Sequence, residues 1–234
     1  MRLSRLSRPL LPLAAALMLA GCSLLGGTGE GAGAAATAPS AGDVQLLEDV
    51  RILSADDMQG RDTGTAGSER ARAYIVARLD ALGVAAPGMG RLQPFEARGR
   101  TREGVKTFNG TNIIGVIPGT RVGDRYIVVT AHYDHVGVND GQVFNGADDN
   151  ASGAVALAFG KDTPQDTGED NWVEASDHAA FYRAQIPFLY LGVNYHPDYH
   201  RPSDDFERIT PSVFISATAL SIAAFHALDR ALDR

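Results

Sequence analysis

One cysteine, Cys22, is all the thiol chemistry this 234-residue chain contains. No disulfide can form within it, so any fold must hold by packing and hydrogen bonding. Basic residues are also few: 21 Lys and Arg stand against 28 Asp and Glu, a formal net charge of -7. No basic stripe exists to neutralise phosphates, which excludes a nucleic-acid binder. Internal repeats and sustained heptads are absent too, so solenoids and coiled coils drop out. What remains is a chain with 44% hydrophobic residues, long enough for one domain with a real core.

The N-terminus reads as an address. Arg2, Arg5 and Arg8 precede a short apolar run, Leu10 to Ala20, which contains Pro12 and closes at Gly21-Cys22. The run is too short to span a bilayer and has the charge order of a signal peptide over residues 1–21. Leu19-Ala20-Gly21-Cys22 resembles a bacterial lipobox, which implies that Cys22 is acylated and becomes the mature N-terminus. The protein would then be held by a lipid anchor in the cell envelope, at the outer membrane facing the periplasm. The alternative is a buried apolar cysteine in an uncleaved helix. Ser23 to Gly42 is rich in Gly, Ala, Ser and Thr with Glu30 as its one acidic residue. Such a segment buries too little to order itself, so residues 22–42 read as a flexible tether and 43–234 as the folded domain.

Beyond Asp43 the pattern alternates between helix and strand. Asp43 can cap a helix carrying Leu46, Leu47, Val50 and Leu53 on one face. Ser68 can cap a second, with Ala71, Tyr74, Ile75, Leu79 and Leu82 at helical spacing and Gly83 as its stop. Asn112 to Ile117, Tyr126 to Ala131 and Phe188 to Val193 are short apolar runs suited to strands buried on both faces. Thr210-Pro211 opens a long final helix, with Pro where its missing N–H costs nothing. The expected fold class is α/β, a three-layer αβα sandwich with helices on both faces of the sheet.

Chemistry-bearing residues fall where such a fold places them, past the carboxyl ends of strands. Tyr126 to Ala131 delivers His132, and Asp134 two residues on can project to the same side. An imidazole that binds a metal usually has a carboxylate or carbonyl on its other nitrogen, a role that suits Asp134. The competing reading is a strand-end His paired with a loop Asp for packing. Asp148-Asp149-Asn150 adds consecutive carboxylates in a Gly-flanked turn, which repel unless solvent screens them or a cation sits between them. Five of the six histidines, His132, His135, His178, His196 and His200, lie in strand-end or loop segments near such carboxylates. His226, on the final helix, has no evident chemical role.

Taken in order, the motifs His132-Tyr133-Asp134-His135, Asn145-Gly146-Ala147-Asp148-Asp149-Asn150-Ala151-Ser152-Gly153, Ser176-Asp177-His178 and Asp198-Tyr199-His200-Arg201-Pro202-Ser203-Asp204 resemble the bacterial zinc aminopeptidases of metallopeptidase family twenty-eight. The resemblance runs from about Leu46 to the C-terminus and includes Gln59-Gly60-Arg61. It implies a zinc-peptidase-like fold and two zinc ions, with His132 on one, His200 on the other and Asp149 bridging them. Asp134 becomes the outer partner of His132, while Asp177, His178 and Tyr199 shape the substrate pocket. The implied reaction is hydrolysis of a peptide or aminoacyl substrate by metal-activated water, with a Glu taking the water's proton.

The departure from the family is large. There, a helix after Asn-Ala-Ser-Gly leads to a strand ending in Glu-Glu, general base and then metal ligand, and to a further strand carrying an Asp ligand. Here Gly153 to Gly160 runs straight into the polar stretch Lys161 to Glu174. Val155, Leu157 and Phe159 alternate with Ala, a strand-like pattern where the family has a helix. An internal deletion near residues 153–160 accounts for both features, with central strands missing and a loss of at least roughly 60 residues at ~30 per strand–helix–strand unit. The general base is then absent, with Glu169, Asp170 and Glu174 as weak substitutes in a loop, and one zinc or none is retained. Three readings follow: an impaired metallopeptidase, a non-catalytic lipid-anchored periplasmic binding protein, or a mononuclear zinc hydrolase or cyclase.

Overall fold

The computed structural model describes residues 39–101, 104–120, 126–156, 176–189 and 196–232. The signal peptide, Cys22, most of the tether and the substitute bases Glu169, Asp170 and Glu174 lie outside the described residues. The chain divides into Met1–Ala38 and Pro39–Arg234, and the description below concerns the second unit.

Helix α1 spans Ala41–Leu53. Its cap is Ser40, which accepts from Asp43 N, while the Asp43 carboxylate accepts from Ser40 N at 2.8 Å. Asp43 is thus the third residue of a capping box and not the cap. Helix α2 spans Ala66–Ala81 and is capped by Thr65, which accepts from Ser68 N at 3.3 Å. Here the sequence reading chose the wrong hydroxyl of two, because both can cap. Gly83 follows the helix at φ +70, the left-handed position expected of a stop.

The two helices are joined by polar as well as apolar contacts. Asp49, only 7% exposed, accepts from Tyr74 Oη at 2.6 Å and from Arg78 Nε at 3.0 Å. Val50, Leu53, Met58, Ala71, Ala151 and Phe214 form the core cluster, with Tyr133, Ile75 and Ile215 packed against it. Full burial of a residue such as Val50 or Leu53 contributes about 1.5–3 kcal/mol. Because Ala151 and Tyr133 belong to the motif loops, the core directly supports the site.

A tight turn, Asp56–Arg61, links the helices. Gly60 sits there at φ +59, and a Cβ on it would collide with the carbonyl oxygens of Gly137 and Phe144. Those two residues belong to a short antiparallel pair, β3 (Gly137–Asn139) with β4 (Gln142–Phe144). Strands β1 (Leu92–Thr101) and β2 (Gly104–Ile113) form a longer antiparallel hairpin, with Leu92 opposite Ile113.

Helices and small strands together are consistent with the α/β class, but the described strands make only these two two-stranded antiparallel sheets. The three-layer sandwich is therefore not seen. Tyr126 to Ala131 carries no strand, and Tyr126 is 79% and Val128 61% exposed. A doubly buried strand needs hydrogen-bonded neighbours on both edges, and no described segment supplies one. Of Asn112 to Ile117, only Asn112 and Ile113 lie in β2, with Val116 in an isolated bridge to Ala85. Phe188 and Leu189 are not in a strand, and residues 190–193 lie outside the described set. Gly153–Ala156 is a short helix, α3, and not the start of a strand as its alternation suggested. The turn Ala147–Ser152 leads directly into it, and that helical entry overrides the alternating pattern.

Helix α4 is Ala179–Arg183 and helix α5 is Pro211–Leu232. On α5, Phe214, Thr218 and Ser221 are buried, whereas Val213, Leu220, Ile222, Phe225 and Leu228 are exposed. Its stretch Pro211–Ala231 is long and apolar enough to cross a membrane, with a mean hydropathy of 1.5 and 17% buried.

Candidate metal centre

Asp149 stands at the centre of three imidazoles. Its Oδ2 lies 2.8 Å from His200 Nε2 and 3.6 Å from His135 Nδ1, and its Oδ1 lies 3.5 Å from His132 Nε2. His135, Asp149 and His200 offer donor atoms that all fall within 4.8 Å of one another, close enough to share one ion. Of the ligands expected from the sequence, Asp149 and His200 are in this cluster, and His132 meets the opposite oxygen of the same carboxylate.

The loops that carry these residues are fixed from beneath by two buried charges. Arg61, fully buried, donates to the carbonyls of Tyr133 (2.8 Å), Leu53 (2.5 Å), Asn145 (2.6 Å) and Gly146 (2.8 Å). One guanidinium thereby ties both the His132–His135 segment and the entry to the Asp148-Asp149 turn to the end of α1. Burial pushes the Arg61 pKa down to about 10, held up by the charges of Asp204, Asp134 and Asp149, so the group stays cationic at neutral pH. Asp204, also fully buried, accepts from Asp148 N at 2.9 Å and Asp149 N at 3.1 Å. Burial raises its pKa, with those two N–H groups working in the opposite direction.

Asp134 and His132 form a pair. His132 Nδ1 is 3.1 Å from the Asp134 carbonyl oxygen and 3.4 Å from its carboxylate, which also accepts from Thr63 Oγ1 at 2.6 Å. Burial alone would lower the His132 pKa, but the hydrogen bond that its ring donates to Asp134 and the charges of Asp149 and Asp134 outweigh it and raise it to about 9. For Asp134, burial is outweighed by the bonds from His132 and Thr63, and its pKa falls below the usual carboxylate value. His135 differs: burial dominates and pushes its pKa down to about 4, so it stays neutral.

The remaining expected residues surround the cluster. Tyr199 stacks on the His200 ring, centroids 4.0 Å apart and planes 14° from parallel. His200 itself adopts φ 53, a left-handed conformation that costs a residue with a Cβ roughly 1 kcal/mol and places its ring beside Asp149. Asp177 is near enough to His132 and Asp134 to feel both charges, and burial raises its pKa. His178 is buried against Phe188, with ring centroids 5.3 Å apart. His196 Nε2 lies 3.1 Å from Asp148 Oδ2, a further imidazole–carboxylate contact at the same turn.

Three contributors carry no role in the sequence motifs: His135, Arg61 and Asp204. Three residues after His132, His135 would face the far side of a strand, but the segment has no strand. For Arg61 the signal was the Gly-punctuated turn before it, and for Asp204 its place in the His200 motif. Gly146, at φ +55, closes the centre: a Cβ there would strike the His135 ring.

Among known proteins, a model of the family described as Peptidase family M28 matches residues 112–159 and 157–225. The matched residues hold His132, Asp134, His135, Asp149, His200 and Asp204, and the match supports a metallopeptidase of that family. No curated protein matches the chain.

Proposed function

We propose that this chain is a zinc-dependent, aminopeptidase-like metallopeptidase of family M28 whose catalytic machinery is incomplete. The observation that carries the proposal is the Asp149 carboxylate, which turns one oxygen to His132 and the other to His135 and His200. Two imidazole nitrogens and a carboxylate oxygen are the donor set of a hydrolytic zinc site, and the donor atoms of His135, Asp149 and His200 lie close enough together to fit one. When bound, zinc would supply Lewis acidity at a scissile carbonyl and an activated water. The chain's own residues do the positioning. Asp204 and Arg61 fix the backbone around Asp149, Asp134 and Thr63 orient His132, and Tyr199 backs the His200 ring.

Impairment is part of the proposal. Among the described residues no Glu joins the three-donor cluster, and acid–base assistance by such a group is typically worth ~10²–10⁴-fold in rate. Two further features support a missing portion of the sheet. The family match comes in two pieces that meet at residues 157–159, and the apolar side chains of Tyr126, Val128, Leu220 and Ile222 lie exposed, where a fuller sheet would cover them. Lipidation at Cys22 and an envelope location belong to the same proposal and rest on the N-terminal pattern. The three-donor cluster also favours a mononuclear zinc hydrolase or cyclase over a two-metal enzyme.

The test is hydrolysis of aminoacyl-anilides by zinc-loaded protein beside its Asp149→Ala variant. Slow turnover, at least ~10²-fold below a complete family member and lost in the variant, is the expected result. Turnover equal to a complete enzyme would overturn the impairment, and turnover indifferent to Asp149→Ala would overturn the assignment.

A further inference from the structure

We propose that two copies of this chain associate through the outer edge of β1, in an antiparallel junction that sets Glu96 of each copy opposite the partner's Arg98. The junction uses no residue of the metal centre and stands independently of the zinc-peptidase reading.

The hairpin is attached to the domain through β2. Tyr133 Oη donates to the Thr111 carbonyl at 2.9 Å, Lys106 Nζ lies 3.4 Å from Asp62 Oδ2, and a Cβ on Gly64 would strike the carbonyl oxygen of Asn109. Among the described residues no strand lies on the other side of β1, and residues 94–98 are all exposed. Register decides which backbone groups face outward. Leu92 lies opposite Ile113 and Ile114 N bonds to the Arg91 carbonyl, so odd-numbered residues of β1 bond to β2. Even-numbered residues turn their N–H and C=O groups to the free edge. Pro94 falls in that outward set, where its missing N–H takes nothing from the hairpin. Glu96 and Arg98 follow it, each with a donor and an acceptor to offer. An open edge of this kind is a template for another strand.

Charge selects the occupant. Glu96 and Arg98 share one face of β1, and neither has an ion-pair or hydrogen-bond partner among the described residues. Like charges along an edge repel a second copy of it, whereas opposite charges two residues apart make the strand complementary to itself when reversed. Centred on Ala97, an antiparallel β1 pair opposes Glu96 to the partner's Arg98 twice over. Both residues present outward backbone groups, so each of these contacts is also a hydrogen-bonded pair, with Cα atoms ~5.5 Å apart. Sliding by two residues in either direction opposes Glu96 to the partner's Glu96 or Arg98 to the partner's Arg98. Sliding by one brings outward groups against side-chain positions that have none to offer. On the other face, the chosen register sets Phe95, 41% exposed, opposite the partner's Gly99. Phe95 already makes that kind of aromatic–glycine contact with Gly110 inside the hairpin. One strand per copy is a small junction, so a Kd of ~10–100 µM is expected.

Sedimentation equilibrium of the full chain, from ~5 to ~500 µM, tests the junction. Glu96→Arg alone and Arg98→Glu alone place like charges opposite one another at both contacts, and each should weaken self-association at least ~10-fold. Both side chains are exposed, so the fold is kept. Mixed in equal amounts, the two variants regain opposite charges at both contacts and should associate within ~3-fold of the unsubstituted chain. Hydrogen exchange on the unsubstituted chain separates this edge from any other contact surface. The Glu96 and Arg98 amides should exchange at least ~10-fold more slowly in concentrated than in dilute protein, while those of Phe95 and Ala97, bonded to β2, stay equally protected in both. A chain that is monomeric at ~500 µM, an association indifferent to both reversals, reversed variants that do not recover on mixing, or edge amides unchanged by concentration would overturn the proposal. Each of these results leaves the zinc-peptidase reading as it stands.

Discussion

Replacing Arg61 by Met keeps the length and the apolar stem of the side chain but deletes the cation on which both motif loops rest. Four carbonyl oxygens, those of Tyr133, Leu53, Asn145 and Gly146, lose their donor. A hydrogen bond from a charged group is worth about 1.5–3 kcal/mol, so four set a ceiling of roughly 6–12 kcal/mol. Relaxation and water entry lower this, and a loss of about 3–5 kcal/mol is expected, in line with breaking other buried charge networks. Whole domains of this size have only about 5–15 kcal/mol to lose. With a urea dependence of about 2 kcal/mol per molar, the unfolding midpoint followed by circular dichroism should fall by roughly 2 M. Arg61→Lys should fall between the two, because one ammonium has three donors and cannot reach all four carbonyls. Zinc affinity should drop with stability, since Tyr133 and Asn145 flank the ligand loops. An Arg61→Met protein within about 1 kcal/mol of the unsubstituted chain, with zinc affinity intact, would refute the role given to this residue.

Asp204→Asn should displace the Asp148-Asp149 backbone, because an amide can accept from only one of the two N–H groups, and zinc affinity should fall ~10–100-fold by titration. In metal-free protein, stability should peak near pH 6.5. The raised His132 pKa contributes stability that is complete below its unfolded value and lost as pH rises towards about 9. The depressed His135 pKa contributes stability that is lost as pH falls from 6.5 towards about 4. Urea midpoints across this range, repeated on His132→Gln, check both slopes, and the alkaline one should flatten in the variant. In membrane fractionation, Cys22→Ser should release the protein into the soluble fraction, and unchanged retention would remove the lipid-anchor proposal.

Local order was legible in the sequence wherever a side chain and its backbone partner lie within one turn. The helices around Val50 and Ala71, the stop at Gly83 and the Pro211 start of the last helix are all of this kind. Caps were misplaced by three residues because Ser40 and Thr65 compete with equally suitable neighbours. The sheet was not legible, because apolar runs such as Tyr126 to Ala131 become strands only when partners exist along their edges, and periodicity cannot report an absent partner. At the site, the resemblance of the motifs marked Asp149, His132 and His200, but not His135, whose direction follows from backbone that is not a strand. Arg61 and Asp204 act across more than 50 residues of sequence, a reach that no local pattern encodes.

The account turns on Asp149 as the carboxylate that holds metal. Anomalous diffraction at the zinc edge from zinc-loaded crystals measures this directly. A peak within ~2.0–2.2 Å of an Asp149 oxygen is expected, on the side of Oδ2 with His135 and His200 at similar distances. Zinc density absent from Asp149, or found only at other surface carboxylates, would contradict the account.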